Sequence, residues 1–151
     1  MIKLCLKQWD KNKDYLENEL RNSNELDSFE YLDLVKLIVI NILNRYSTVS
    51  RYDEENITQI DNGYYKGTQL FMIPERTCQP SANEYLLTFI DYGSCSGCDT
   101  LLSIQSNTYD GSDNESVISD YMTLCKDIVC NIIKPYNNGW RQSEEFEVVE
   151  Y

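Results

Sequence analysis

Apolar residues recur along this chain with two different periods, and the periods divide it into helices and strands. From Phe29 to Asn44, the residues Tyr31, Leu32, Leu34, Val35, Ile38, Val39, Ile42 and Leu43 return at three- and four-residue spacings. That spacing places them on one face of a helix despite the β-branched content, because length and the 3.6 period outweigh propensity. Ser28 is positioned to cap this helix, with Tyr31 where a full capping box would have Glu. Ser116 to Lys134 repeats the pattern through Val117, Ile118, Tyr121, Met122, Leu124, Cys125, Ile128, Val129, Ile132 and Ile133, and Pro135 stops it. Between Trp9 and Leu20 only Trp9, Tyr15, Leu16 and Leu20 interrupt a polar run, which predicts a surface helix. Asn22 to Asp27 is a turn-rich connection.

Strand signals occupy the middle of the chain. Asn56 to Ile60 and Thr68 to Ile73 are β-rich runs joined by Asp61-Asn62-Gly63-Tyr64-Tyr65-Lys66-Gly67, so a hairpin is predicted in which Asn-Gly supplies a positive φ. Pro74 ends the second strand, and Glu75 to Asn83 is loop. Glu84 to Asp91 is apolar on both faces, the pattern of a central strand. Asp99 or Thr100 is placed to cap a short helix through Leu101, Leu102, Ile104 and Gln105, and Asn107 to Asn114 follows as a polar loop. Asn137 to Trp140 turns, and Glu145 to Tyr151 alternates as a last, edge strand. The sum is one α+β domain over residues 1–151: an antiparallel sheet of three to four strands packed against helices at 29–44 and 116–134. A chain of 151 residues is long enough for one hydrophobic core.

Charge and composition narrow the function. The formal net charge of −12 argues against direct nucleic-acid binding, which clustered Lys and Arg drive, and makes a basic partner the more natural one. There is no histidine, so the commonest general base, every Ser-His or Cys-His pair and every imidazole metal site are excluded. The first ten residues turn charged at once without the apolar stretch of a signal peptide, and the longest apolar run, Leu37 to Leu43, is too short to span a bilayer. The expected location is therefore the cytoplasm, without a membrane role, where six cysteines read as reduced thiols or metal ligands rather than three disulfides.

One stretch is too particular for plain packing: Tyr92-Gly93-Ser94-Cys95-Ser96-Gly97-Cys98-Asp99, where a strand turns into a helix. Gly93 and Gly97 permit tight or left-handed backbone, and free amides at such a turn can face an anion. Cys95 and Cys98 form a C-x-x-C that reads as packing thiols, as half of a zinc site, or as a redox pair whose thiolate a helix N-terminus favours. A zinc set of Cys95, Cys98, Cys125 and either Cys78 or an Asp is conceivable. Cys125 and Cys130 are five apart, about 140° round a helix, so one of them at most would face such a metal. Asp91 reads as a turn acceptor and Asp99 as a helix cap, or the two as the paired carboxylates of an active site or a divalent-cation site. The run Tyr109 to Glu115 lacks the ligand pattern of a calcium loop. Tyr64, Tyr65, Tyr85, Tyr92, Tyr109, Tyr121 and Tyr136 supply either core packing or a recognition surface.

The string Tyr92 to Leu101, preceded by Gly67-Thr68-Gln69-Leu70-Phe71 and followed by Tyr121-Met122-Thr123-Leu124, resembles small uncharacterised proteins of tailed phages and prophages over about the last two-thirds of the chain. The resemblance implies a phage accessory protein in the cytoplasm of a bacterial host and brings no activity or ligand set with it. Acidity, tyrosines and the missing histidine together predict a non-enzymatic protein that binds a host or phage protein. Three alternatives stand beside it: a zinc module at Cys95 and Cys98; a small-molecule or nucleotide binder at the Gly93–Cys98 turn; and an acidic nucleic-acid mimic whose carboxylates in 10–33 and 144–150 share a face.

Overall fold

In the computed structural model, which describes residues 2–46, 51–95, 97–109, 114–136 and 139–141, helices pack on one face of an antiparallel sheet, an α+β arrangement. Helix α1 (Ile2–Asn22) leads into α2 (Tyr31–Ile38), which continues through a π turn at Val39–Leu43 and a 3-10 turn at Asn44–Tyr46. Strands β1 (Thr58–Asp61), β2 (Gly67–Pro74) and β3 (Tyr85–Tyr92) follow, then helices α3 (Thr100–Tyr109) and α4 (Asn114–Cys130), and a short hairpin of β4 (Lys134–Tyr136) with β5 (Gly139–Arg141).

The α1 helix corrects the surface-helix expectation. It starts earlier and buries Cys5, Trp9, Asn12, Leu16 and Leu20, a stripe at four- and three-residue spacing that faces the core. Burying Leu16 and Leu20 contributes roughly 1.5–3 kcal/mol each. Asn12 hides the stripe from a reading by hydrophobicity, yet it is buried because its Nδ2 donates to the carbonyl of Ile42 at 3.1 Å. The π turn frames that contact, closing where the Asn44 N–H donates to the Val39 carbonyl. Within it Asn41 is fully buried; its Nδ2 donates to the Leu37 carbonyl at 3.0 Å, and its Oδ1 has no partner among the described residues. At the start of α2 the cap is Glu30 rather than Ser28, and its backbone N–H donates to Asp33 Oδ2 at 2.8 Å.

The hairpin forms as predicted, with Thr58↔Met72 and Asp61↔Gln69 in register, although the glycine argument changes. Neither Gly63 nor Gly67 is left-handed. They are glycines because the two backbones lie against each other: a Cβ on Gly63 would meet the Cα of Gly67 at 2.7 Å. Asn62 Oδ1 closes the turn by accepting from the Thr68 N–H at 2.7 Å. Register pairs Phe71 with Thr88 and Ile73 with Leu86, so these residues, with Ile90, share the face that the helices cover. Thr88 is tolerated in that core because its hydroxyl donates to the Ile128 carbonyl at 2.8 Å.

Two boundaries shift. Strand order is β1-β2-β3, so β2 is central, not β3. The outer edge of β3 is touched by a bridge in which Leu87 and Ile133 exchange backbone hydrogen bonds at 2.9 and 2.8 Å, and Leu87 is buried beside it. That same pairing takes the chain out of helix after Cys130, so α4 ends four residues before the predicted Lys134, with Lys134 in β4. The predicted strand at 145–151, the 144–150 carboxylates and residues 110–113 of the predicted loop at 107–114 lie outside the described residues, while α3 runs on to Tyr109 and α4 starts at Asn114.

Buried acids of low acidity give the fold a pH signature. Burial pushes the thiols of Cys5 and Cys125 from an ordinary value of 9.0 up to about 12. It also raises Tyr121 from 10.0 to about 12, while burial and then the hydrogen bond to Asp99 raise Tyr31 further. Each group is neutral when folded, so its contribution is complete below its unfolded value and is lost as pH climbs toward the folded one. Urea midpoints are expected to stay level up to about pH 9 and then fall steadily toward pH 12; a midpoint that rose across this window would contradict the burial of these groups.

Candidate functional site

Sequence places the Gly93–Asp99 turn between β3 and α3, and the structure shows what holds it there. Asp99, only 6% exposed, is its anchor. The carboxylate caps α3 by accepting the Leu102 N–H at 3.2 Å through Oδ1, and its carbonyl accepts the Ser103 N–H at 3.0 Å. Oδ1 also takes the hydroxyl of Tyr31, on α2, at 2.8 Å, and Oδ2 takes the Gly93 N–H at 3.1 Å. One buried side chain therefore fastens the start of α3, the end of β3 and the first turn of α2 to one another. Leu101 N–H donates in turn to the Tyr31 hydroxyl at 3.4 Å. The sequence-based pairing of Asp91 with Asp99 does not form a common site: Asp91 is exposed and accepts from the Thr68 hydroxyl at 2.7 Å.

Above this anchor the two thiols meet. Cys95 and Cys98 are both exposed, with their sulfurs 2.7 Å apart. The backbone N–H of Cys95 donates to Cys98 Sγ at 3.1 Å, and the same sulfur, as a thiol, donates to the Cys95 carbonyl at 3.3 Å. Cys98 thus has a partner in either protonation state. Hydrogen bonding from the Cys95 side chain, then from the Cys95 amide, holds the Cys98 thiol below its ordinary value. Gly93 is required by close approach: a Cβ there would lie 2.6 Å from the Cys98 carbonyl oxygen and 2.7 Å from its sulfur. Gly97 is not so required, since a Cβ would meet only Cys95 Sγ at 3.9 Å, and neither glycine is left-handed. Ser94 is exposed at the turn, Tyr92 is half-buried with its hydroxyl donating to Asp61 at 2.6 Å, and Ser96 lies outside the described residues.

Other sequence-based candidates separate from this turn. Cys125 sits fully buried in the hydrophobic core, where burial pushes its thiol up to about 12 and so disfavours the thiolate that zinc requires, whereas Cys95 and Cys98 are exposed. Among the described residues no group of three or more Cys, His, Asp or Glu is placed to hold a metal ion. Within the turn the amides of Gly93, Cys95, Cys98 and Asp99 donate to Asp99 Oδ2, Cys98 Sγ and the Cys95 carbonyl. The tyrosines split likewise. Tyr121 is fully buried, edge-on to Phe29 with ring centroids 5.8 Å apart, and so is no surface residue. Tyr64 and Tyr65 stand at the hairpin tip, 87% and 73% exposed, in a T-shaped pair at 4.9 Å, and Tyr85 is half-buried. The side chains of Tyr109 and Tyr136 lie outside the description.

A groove of about 470 Å³ opens beside Cys98 between α3 and α4. Ile104 and Leu124 form its buried floor, Thr100 and Ser103 bring hydroxyls from α3, and Asp120, Thr123 and Asp127 rise from one exposed stripe of α4. Sequence reasoning missed this groove and missed Tyr31. The i, i+3, i+7 spacing of 120, 123 and 127 on the polar side of a helix was the available signal for the first; nothing local connects Tyr31 to residue 99. No protein-family model, curated protein or solved structure matches this chain, and no helix among the described residues is long and apolar enough to cross a membrane.

Proposed function

We propose that this chain is a protein-binding module that engages its partner through thiol–disulfide exchange at Cys95 and Cys98. The observation that carries it is the exposed sulfur pair at 2.7 Å, held on a turn that Asp99 fixes from beneath. A disulfide bond of about 2.05 Å requires the sulfurs to approach by only about another 0.7 Å. In the reaction the Cys98 thiolate attacks one sulfur of a partner disulfide, whose S–S bond breaks, and the departing thiolate takes a proton from water. Cys95 then gives its proton to water and attacks Cys98 in the mixed disulfide, releasing the second partner thiolate. Two electrons pass from the pair to the partner, and a cellular low-molecular-weight thiol returns them. The groove's carboxylates and the net charge of −12 support a partner with basic character over a nucleic acid. That the partner belongs to a bacterial host or a phage, and meets the protein in the cytoplasm, rests on the sequence resemblance.

The test is equilibration in graded ratios of reduced and oxidised dithiothreitol, followed by alkylation and peptide mass analysis. The expected result is one two-electron transition confined to Cys95 and Cys98, with Cys5 and Cys125 blocked only after denaturation. Failure to form the Cys95–Cys98 disulfide at any ratio, or bound stoichiometric zinc protecting both thiols, would replace this proposal with the structural or metal reading.

A further inference from the structure

We infer that the groove between α3 and α4 selects the disulfide partner, and that the segment it takes is a cationic peptide carrying its cysteine beside lysine or arginine. The inference rests on the dithiol reading above and adds the recognition element to it. The geometry is that of a nucleophile at the mouth of a shaped surface: Cys98 lines the groove, with Gly97 and Asp99 next to it and the α4 stripe opposite. The floor of Ile104 and Leu124 suits the aliphatic stem of a lysine or arginine, and the rim supplies the counter-charge for its head. Asp120 and Asp127 are both exposed, and neither takes part in any ion pair found among the described residues. Among the described residues no Lys or Arg lines the groove. Asp99 is not available to a ligand, because its oxygens are held by Tyr31, Gly93 and Leu102. The charge that faces an incoming segment is therefore negative and uncompensated, carried by two carboxylates seven residues apart, about two helical turns. Such a field raises the local concentration of a cationic disulfide and repels an anionic one before any sulfur chemistry begins.

The probes are short symmetric peptide disulfides whose cysteine is flanked by lysines, serines or glutamates, with the neutral hydroxyethyl disulfide as a measure of bare reactivity. At low ionic strength the reduced full-length protein is expected to react about tenfold faster with the lysine peptide than with the glutamate peptide, after each rate is divided by that of free dithiothreitol. The preference is expected to shrink toward unity in molar salt, where the screening length falls to about 3 Å. In Asp120→Asn/Asp127→Asn the lysine-to-glutamate ratio is expected to collapse at low salt as well. Equal normalised rates for the two peptides, with hydroxyethyl disulfide still reducing normally, would overturn the groove inference and leave the dithiol intact. A preference that survives the double substitution overturns it too, by placing recognition elsewhere. If hydroxyethyl disulfide fails to oxidise Cys95 and Cys98 at all, the dithiol reading itself falls and takes the inference with it.

Discussion

Cys98→Ser is expected to slow reduction of hydroxyethyl disulfide by at least about 100-fold, whereas Cys95→Ser keeps the first attack and stops at a mixed disulfide on Cys98. The asymmetry follows from the turn. Cys98 Sγ accepts from the Cys95 amide at 3.1 Å and lines the groove, and its thiol is held below the ordinary value, so it is the sulfur that carries thiolate where a substrate arrives. Serine in its place offers an alcohol that does not ionise near neutral pH. Both variants are best made on a Cys78→Ser background, since Cys78 is the other exposed thiol among the described cysteines. Stopped-flow rates give the first quantity, and intact-mass detection of the trapped adduct gives the second. The wild-type rate is expected to rise with pH and level off below pH 9.0, because the attacking form is the deprotonated one and Cys98 lies below that ordinary value. A trapped adduct on Cys95 in Cys98→Ser, at undiminished rate, would reverse the assignment of the two sulfurs.

The largest stability effect is expected at Asp99. Asp99→Ala removes the acceptor of the Tyr31 hydroxyl and of the Gly93 and Leu102 amides at once, and the hydroxyl and Leu102 amide are left in a buried or half-buried setting. Loss of a cap together with stranded donors is expected to cost about 2–4 kcal/mol, read as a lowered urea midpoint with an unchanged slope. Tyr31→Phe deletes one of those bonds and is expected to cost about 1–2 kcal/mol. Because the two side chains share a hydrogen bond, the double variant is expected to cost less than the sum of the singles. The effect also reaches the thiols: with Gly93 released from Oδ2, the close approach of Gly93 to Cys98 is no longer enforced, and alkylation of Cys98 should lose its advantage over Cys95. A variant as stable as the wild type would show that the turn is held by other contacts.

Part of this was written locally in the chain, and the part that was not has a physical cause. The helices at 29–44 and 116–134, the hairpin and the third strand are legible because their periods of 3.6 and 2 are produced by each segment alone, whatever it packs against. The turn at 93–99 is legible for a similar reason, since closely spaced Gly and Cys have few structural uses. The core role of α1 is illegible, because Gln8 and Asn12 sit in its buried stripe and only the Ile42 carbonyl, thirty residues on, explains Asn12. The end of α4 at Cys130 is decided by the β3 edge, which offers Ile133 a backbone partner that no helix would. Where each thiol sits was decided in the same way. Cys5 and Cys125 face the core while Cys95 and Cys98 face solvent, a distinction made by where the elements dock and not by the residue type. Sequence by itself determined the elements and marked the turn. The tertiary structure alone decided that a tyrosine 68 residues from Asp99 would hold its carboxylate, and that α3 and α4 would leave an acidic groove beside one sulfur. Both depend on contacts between segments distant in the chain, which no local pattern encodes.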